Sequence, residues 1–277
     1  MNTVRRVLRQ PLGLVGAALV LGLVLVAIFA PWIAPYDTSP GAQVLADIKL
    51  PRSPAHPLGT DHTGIDVLSR LIMGARTSLL IGVGASALTV LIGLSVGALA
   101  GYAGGTTDLL IMRVIDVMLA FPSLLFIIIL AAAFGQSLTA VFVALAVANW
   151  APVAQLVRGQ VLVLKTSEFV TASRALGAGH LRLLLRHILP NCLSILLVVF
   201  TMKLGTMILA ESSLGFLGLG ADNLNAWGRM VNFAYDEIGI RWWLSVFPAI
   251  AIAVTVIAFN LVGDAVRDAL DPKLRLR

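Results

Sequence analysis

The residues with chemistry to offer are few and far apart. Lys203 lies inside an apolar stretch and Glu211 near its end, Arg113 and Asp116 stand early in another, and Cys192 is the one cysteine. A lysine within a membrane span costs about 2.5–3.5 kcal/mol on insertion scales, so Lys203 is expected to face a bundle interior, water or an acidic partner. Glu211 follows at about two helical turns, on nearly the same face but beyond direct contact along the helix. Arg113 and Asp116 are spaced to pair across one turn near an interface. Asp116, Lys203 and Glu211 would be the ion-coupled groups of a secondary transporter driven by protons or sodium. His56, His62, His180 and His187 fall in two separate loops, which argues against a metal site, and no H-E-x-x-H occurs. None of the four lysines follows a glycine, so there is no G-x-x-x-x-G-K-[ST] loop for nucleotide phosphates. The GFLGLG run at 215–220 imitates a dinucleotide loop, but it lacks the strand before it. The chain offers no site for ATP, and energy for any work would have to come from another polypeptide.

The elements that position these groups are membrane spans. The 277 residues are 58% hydrophobic and only 12% charged, with mean hydropathy +0.94. A soluble domain carries about twice that charge fraction, so the chain reads as an all-α, multi-spanning membrane protein. Its net charge of +6 sets topology rather than binding nucleic acid, because no surface combines aromatic and basic residues. One cysteine rules out an internal disulfide, and Cys192 at the start of an apolar span reads as a small packing residue.

Six spans are expected. The first, 12–30, follows Arg5, Arg6 and Arg9; it is longer than the core of a secretory signal and reads as retained. Residues 31–77 form an extracytoplasmic loop. It ends in an amphipathic lead-in helix capped by Thr60 or Asp61, with an Asp66–Arg70 pair one turn apart. The second span, 78–100, carries Gly82, Gly84, Gly93 and Gly97, small residues that let helices approach closely in lipid. The third, 109–134, contains Phe121 and Pro122, where the helix should bend and could line a pathway. The fourth is 138–157, the fifth 191–213 and the sixth 244–263, introduced by Trp242 and Trp243 at an interface.

The one long polar interruption is EFVTASRALGAGHLRLLLRHILP, residues 168–190. Ser167 can cap a helix whose first residue, Glu168, suits the positive end of the helix dipole. Phe169, Ala172 and Leu176 share one face. Gly177 stands where a residue of positive φ would end that helix. A second amphipathic helix follows, with Leu181, Leu184, Leu185 and Ile188 on one side and His180, Arg182, Arg186 and His187 towards the other. Pro190 should end it and turn the chain.

This stretch resembles the cytoplasmic EAA loop of bacterial ABC-transporter permeases, the loop that docks onto the ATPase subunit. Ala172, Gly177, Leu189 and Pro190 fall in register with that pattern, whereas Thr171 replaces its Glu, Ser173 its second Ala and His187 its Ile. Such departures are usual in the dipeptide/oligopeptide/nickel branch. Three further stretches resemble the same branch: HPLGTDHTGIDVLSRLIMGARTSL at 56–79, ESSLGFLGLG at 211–220 and GDAVRDALDPKLRLR at 263–277. Ile65 stands where the first usually has Arg, and Gly215 where the second has Ser.

The resemblance implies a type I importer permease that is not itself an enzyme. Its coupling residues would be Glu168, Thr171, Ala172, Ser173, Gly177, His187, Leu189 and Pro190, and Phe121, Pro122, Lys203 and Glu211 would belong to a pathway or gate. It implies a homologous permease as heterodimer partner, two cytoplasmic ATPases that bind ATP and Mg, an extracytoplasmic binding protein, and no cofactor in this chain. The substrate would be a peptide or a related small solute such as a nickel complex or glutathione. The location would be the bacterial inner membrane. With the N-terminus inside, thirteen of the twenty basic residues fall in cytoplasmic segments and six outside, which agrees with the positive-inside rule. That places 1–11, the coupling loop 168–190 within a core of 78–265, and the tail 266–277 in or facing the cytoplasm.

Overall fold

The structure is a computed structural model that describes residue 7 and residues 10–39, 48–223, 225–237 and 239–270. Arg5, Arg6, Arg9 and the tail from residue 271 lie outside the described residues. Helix α1 is Pro11–Ile33, α2 Val67–Ala103, α3 Gly105–Ala120, α4 Ser123–Phe134, α5 Leu138–Lys165 and α6 Glu168–Ala175. Then α7 (His180–Arg182) widens into a π-helical turn, Leu183–Ile188, and continues as α8, Leu189–Phe216. Helices α9 (Trp227–Ala234) and α10 (Trp243–Leu270) complete the order, and no named strand occurs among the described residues.

Among the described residues, five stretches are long and apolar enough to cross a membrane: α1, α2, α5, the continuous helix His180–Phe216, and α10. Helices α3 and α4 together make a sixth, broken by a 95° bend. Pro122 causes the break. It lacks an N–H for the ladder and forces Phe121 out of helical geometry, to φ −85° and ψ 137°.

Close helix contact follows the glycines. A Cβ on Gly93 would lie 2.6 Å from Val153 Cβ of α5, and one on Gly101 2.9 Å from the Arg158 carbonyl oxygen, so α2 and α5 meet backbone to backbone. Gly82 receives Ile208 of α8 in the same way, whereas Gly84 faces open space. In lipid, where apolar surface gains nothing by leaving water, this packing is the main attraction between helices.

Residues 34–39 and 48–66 fold over one end of the bundle. The Trp243 indole donates to the Leu58 carbonyl (3.0 Å), the Trp227 indole to the Leu71 carbonyl (2.9 Å), and Lys49 pairs with Glu237 (2.5 Å). Two expectations change here. The cap of α2 is Asp66, accepting from Ser69 N at 2.8 Å, not Thr60 or Asp61. Arg70 pairs with Asp61 rather than Asp66, because Asp66 turns its second oxygen to His56 Nδ1 at 3.0 Å. Asp61 itself closes a turn, accepting from Thr63 N (2.7 Å) and Ile65 N (3.1 Å).

Candidate functional site

The chain between α5 and α8 builds a two-helix ledge at the opposite end of the bundle. Ser167 starts α6, but its hydroxyl donates back to the Leu164 carbonyl (2.6 Å) and does not cap the helix. Glu168 is the first helical residue and is exposed. The hydroxyls of Thr171 and Ser173 donate to carbonyls one turn back, those of Ser167 and Phe169. Helix α6 ends in a Schellman motif. Gly177 N donates to the Arg174 carbonyl (3.0 Å), Ala178 N to the Ser173 carbonyl (3.1 Å), and Gly177 has φ +86°. Leu176 N closes onto the Ala172 carbonyl at 3.1 Å.

The ledge is oriented oppositely to the simplest amphipathic reading. Val170 is fully buried, while Phe169 is 43% exposed and Leu176 89% exposed. In the second helix Leu183 and Ile188 are buried, whereas Leu181 and Leu185 point outward. Val170, Leu183 and Ile188 join Val153, Val157 and Val161 of α5 and Cys192 of α8 in one cluster, which anchors the ledge. Fully burying a side chain such as Val170 contributes about 1.5 kcal/mol or more at a water-facing site. Phe169, Leu176, Leu181 and Leu185 are left as an uncovered apolar surface.

Pro190 does not turn the chain. It is the second residue of α8, and the helix runs through it from His180 to Phe216. The π turn accommodates the proline: Leu189 N reaches the Leu184 carbonyl, five residues back, so the ladder widens where the proline N–H is missing. His187 lies in that turn and its carbonyl accepts from Asn191 Nδ2 at 2.6 Å. The ledge is thus continuous with a spanning helix. Polar contacts fasten it sideways too: the Tyr102 hydroxyl is 3.0 Å from His180 Nδ1, and Lys165 Nζ donates to the Tyr102 carbonyl at 2.6 Å. Nearby, Arg158 grips Asp108 at the start of α3 with bonds of 2.5 and 2.7 Å.

The polar groups within the spans are held apart. Lys203 Nζ donates to Asn149 Oδ1 of α5 at 3.4 Å. Glu211 is wholly buried, and Oε2 accepts from Ser78 and Ser212 hydroxyls, each at 3.4 Å. Arg113 and Asp116 make an exposed i,i+3 pair at 3.8 Å. Phe121, 52% exposed, stacks near Phe126 with ring centroids 5.8 Å apart. Beside this elbow a cleft of about 660 Å³ opens, lined by Leu124, Leu209, Phe216, Val231, Ile252 and Val256 among others. Residues 93–97 match G-x-S-x-G, the spacing of a hydrolase nucleophile elbow, but they lie mid-helix and Ser95 donates to the Leu91 carbonyl at 2.8 Å.

Sequence patterning missed Val170 as the anchor, the Asn149 partner of Lys203, and the Asp108–Arg158 pair. The first two depend on which side of a helix meets a neighbour. The third joins residues fifty positions apart, and no local spacing signals it.

Bent spans packed on small residues, with a ledge built onto one spanning helix, suit a transport subunit. The chain belongs to the binding-protein-dependent transport system inner membrane component family, whose model matches residues 90–276. The N-terminal TM domain of oligopeptide transport permease C matches residues 2–51. Among curated relatives, the glutathione transport system permease protein GsiD of Escherichia coli O6:K15:H31 is 45% identical over 275 residues, 98% of this chain and 89% of that protein. The oligopeptide transport system permease protein OppC of Bacillus subtilis strain 168 is 42% identical over 265 residues, 95% and 86% of the two chains. GsiD of Pectobacterium atrosepticum is 42% identical over 98% of this chain and 90% of its own. The protein is therefore a multi-pass permease subunit of an ABC importer, and ATP hydrolysis belongs to separate subunits. The ion-driven alternative built on Asp116, Lys203 and Glu211 falls with that assignment.

Proposed function

We propose that this chain pairs with a homologous permease to form a path for peptides or glutathione-like solutes delivered by an extracytoplasmic binding protein. Of two cytoplasmic ATPases, one docks on the ledge 168–190, which faces the cytoplasm, as do both termini. Phe121 and Pro122, with Lys203 and Glu211, border the path. The names of the relatives support the substrate class. The observation that carries the mechanical role is the uncovered apolar surface of Phe169, Leu176, Leu181 and Leu185, rigidly joined through Leu183 and Ile188 to a spanning helix. Large apolar side chains left exposed along the polar stretch 168–190 suit a protein-docking surface, and a ledge continuous with α8 passes a push directly into the membrane.

Gly177→Arg tests this. A left-handed backbone costs an L-residue about 1–2 kcal/mol. A Cβ added there would meet no atom within 4 Å beyond its chain neighbours, so the side chain has room to project into the docking surface. The spans should stay inserted while ATPase co-purification and substrate-stimulated ATP hydrolysis fall. Gly177→Ala, which carries the backbone penalty with little bulk, and Pro190→Ala, which places no bulk in the turn, should retain most docking. Wild-type docking and hydrolysis in Gly177→Arg would show that the ledge does not transmit the ATPase stroke.

A further inference from the structure

Lys203 lies fourteen positions into α8 from Leu189 and thirteen before Phe216. That is about 20 Å from either end at 1.5 Å per residue, near the middle of the span. An ammonium has three N–H donors, yet the one hydrogen bond seen for it here is the 3.4 Å contact to Asn149 Oδ1. The acceptor is neutral. Its orientation is set from behind, since Asn149 Nδ2 donates to the Leu145 carbonyl at 2.9 Å, which aims Oδ1 at the lysine. Of the described acidic groups of the spans, Asp108 is engaged with Arg158, Asp116 with Arg113, and Glu211 with Ser78 and Ser212, while Asp264 and Asp268 are exposed towards the end of α10. No ion pair to Lys203 occurs among the described residues.

The side chain is only half-buried, and on α8 it stands next to an exposed stripe. Met202, Thr206 and Leu209 form an exposed stripe that leads through Ser213 to Phe216, and Leu209, Ser213 and Phe216 line the 660 Å³ cleft. Lys203 borders this stripe on the α5 side. A charge left at mid-span with a weak neutral partner, beside an open polar-edged stripe, is arranged for an anion that comes and goes. Cationic groups in such positions mark solute paths.

We propose that Lys203, steadied by Asn149, is a specificity-determining contact for the carboxylate of the transported solute. The proposal rests on the peptide or glutathione-like substrate class above. Such solutes carry a terminal carboxylate, and a charge-assisted bond to an ammonium is stronger than a neutral one.

The test uses the complete complex of both permeases, the ATPases and the binding protein in proteoliposomes. The probes are a tripeptide and the same tripeptide amidated at its C-terminus. Each rate is taken at saturating occupancy of the binding protein, measured separately, so that preference in the binding protein cancels. The wild type should carry the free acid about tenfold faster than the amide, equivalent to about 1.4 kcal/mol. Lys203→Gln should bring the ratio close to one, and Lys203→Arg should keep most of it. An unchanged ratio in Lys203→Gln would overturn the proposal. So would loss of permease pairing in Lys203→Gln, which would identify the partner as a carboxylate of the second permease. Transport of neither probe by the wild type would remove the substrate class and this contact together. A failed ATPase-docking result with Gly177→Arg would instead leave the acid-to-amide ratio standing.

Discussion

Helix α3 lies along the bundle with one buried residue, Ile115, which packs against Ala151 and Ala154 of α5. Its N-terminal end is tied down by Asp108 and Arg158, and the perturbation of interest is the removal of that tie. The guanidinium meets both carboxylate oxygens, at 2.5 and 2.7 Å, and the side chains are 27% and 17% exposed for Arg158 and Asp108. A hydrogen bond to a charged group contributes about 1.5–3 kcal/mol, and residual exposure screens part of it. Taking about 2 kcal/mol for the pair, Asp108→Asn or Arg158→Met should raise the open population of this end of α3 about thirtyfold. The assay is amide hydrogen exchange of residues 105–112 in the assembled complex. Each single variant should exchange faster by about that factor, and the double variant little faster than either. Arg158→Lys should fall between, because an ammonium cannot present the paired N–H fork. Wild-type exchange in both single variants, or a double variant whose loss is the sum of the two, would refute the claim that this pair holds α3 to α5.

Two further outcomes follow from the packing and the charges. Gly97→Leu should abolish the folded, monodisperse permease in detergent size-exclusion profiles, because a Cβ there already lies within 2.9 Å of Val157 Cβ, whereas Gly84→Leu, with open space around it, should leave the profile intact. On the loop side, burial pushes the Glu237 carboxyl up, but hydrogen bonds and charges from Lys49 and Arg241 outweigh it and hold the group below its ordinary value of 4.5. A depressed carboxyl contributes stability that is complete above the unfolded value and disappears as pH falls through the folded one. Proteolytic protection of residues 48–66 should therefore be constant near neutrality and decline below about pH 4.5, and Glu237→Gln should remove that dependence.

Much of this protein was legible from the chain alone. Apolar runs long enough to cross a membrane can only be helices there, since lipid offers no partner for backbone polar groups. The four stretches at 56–79, 168–190, 211–220 and 263–277 pointed to the family, and Gly177 could be assigned a positive φ because few other residues end a helix that way. Pro122 was equally readable as a break. What the chain left open were choices between faces and partners. The apolar residues of 168–190 divide into those that anchor and those that face outward, and periodicity assigns both groups the same character. Only the position of α5 decides that Val170 goes in and Leu176 out. Pro190 reads locally as a stop, yet a π turn carries the helix through it, because packing of Leu183, Ile188 and Cys192 against α5 favours one continuous rod. Asp66 and Arg70 sit at a pairing distance along the helix, but Asp61 and His56, brought in by the folded loop, take them instead. Local sequence sets which groups must find partners; the tertiary structure selects among them, because the competing contacts come from segments that no spacing along the chain connects.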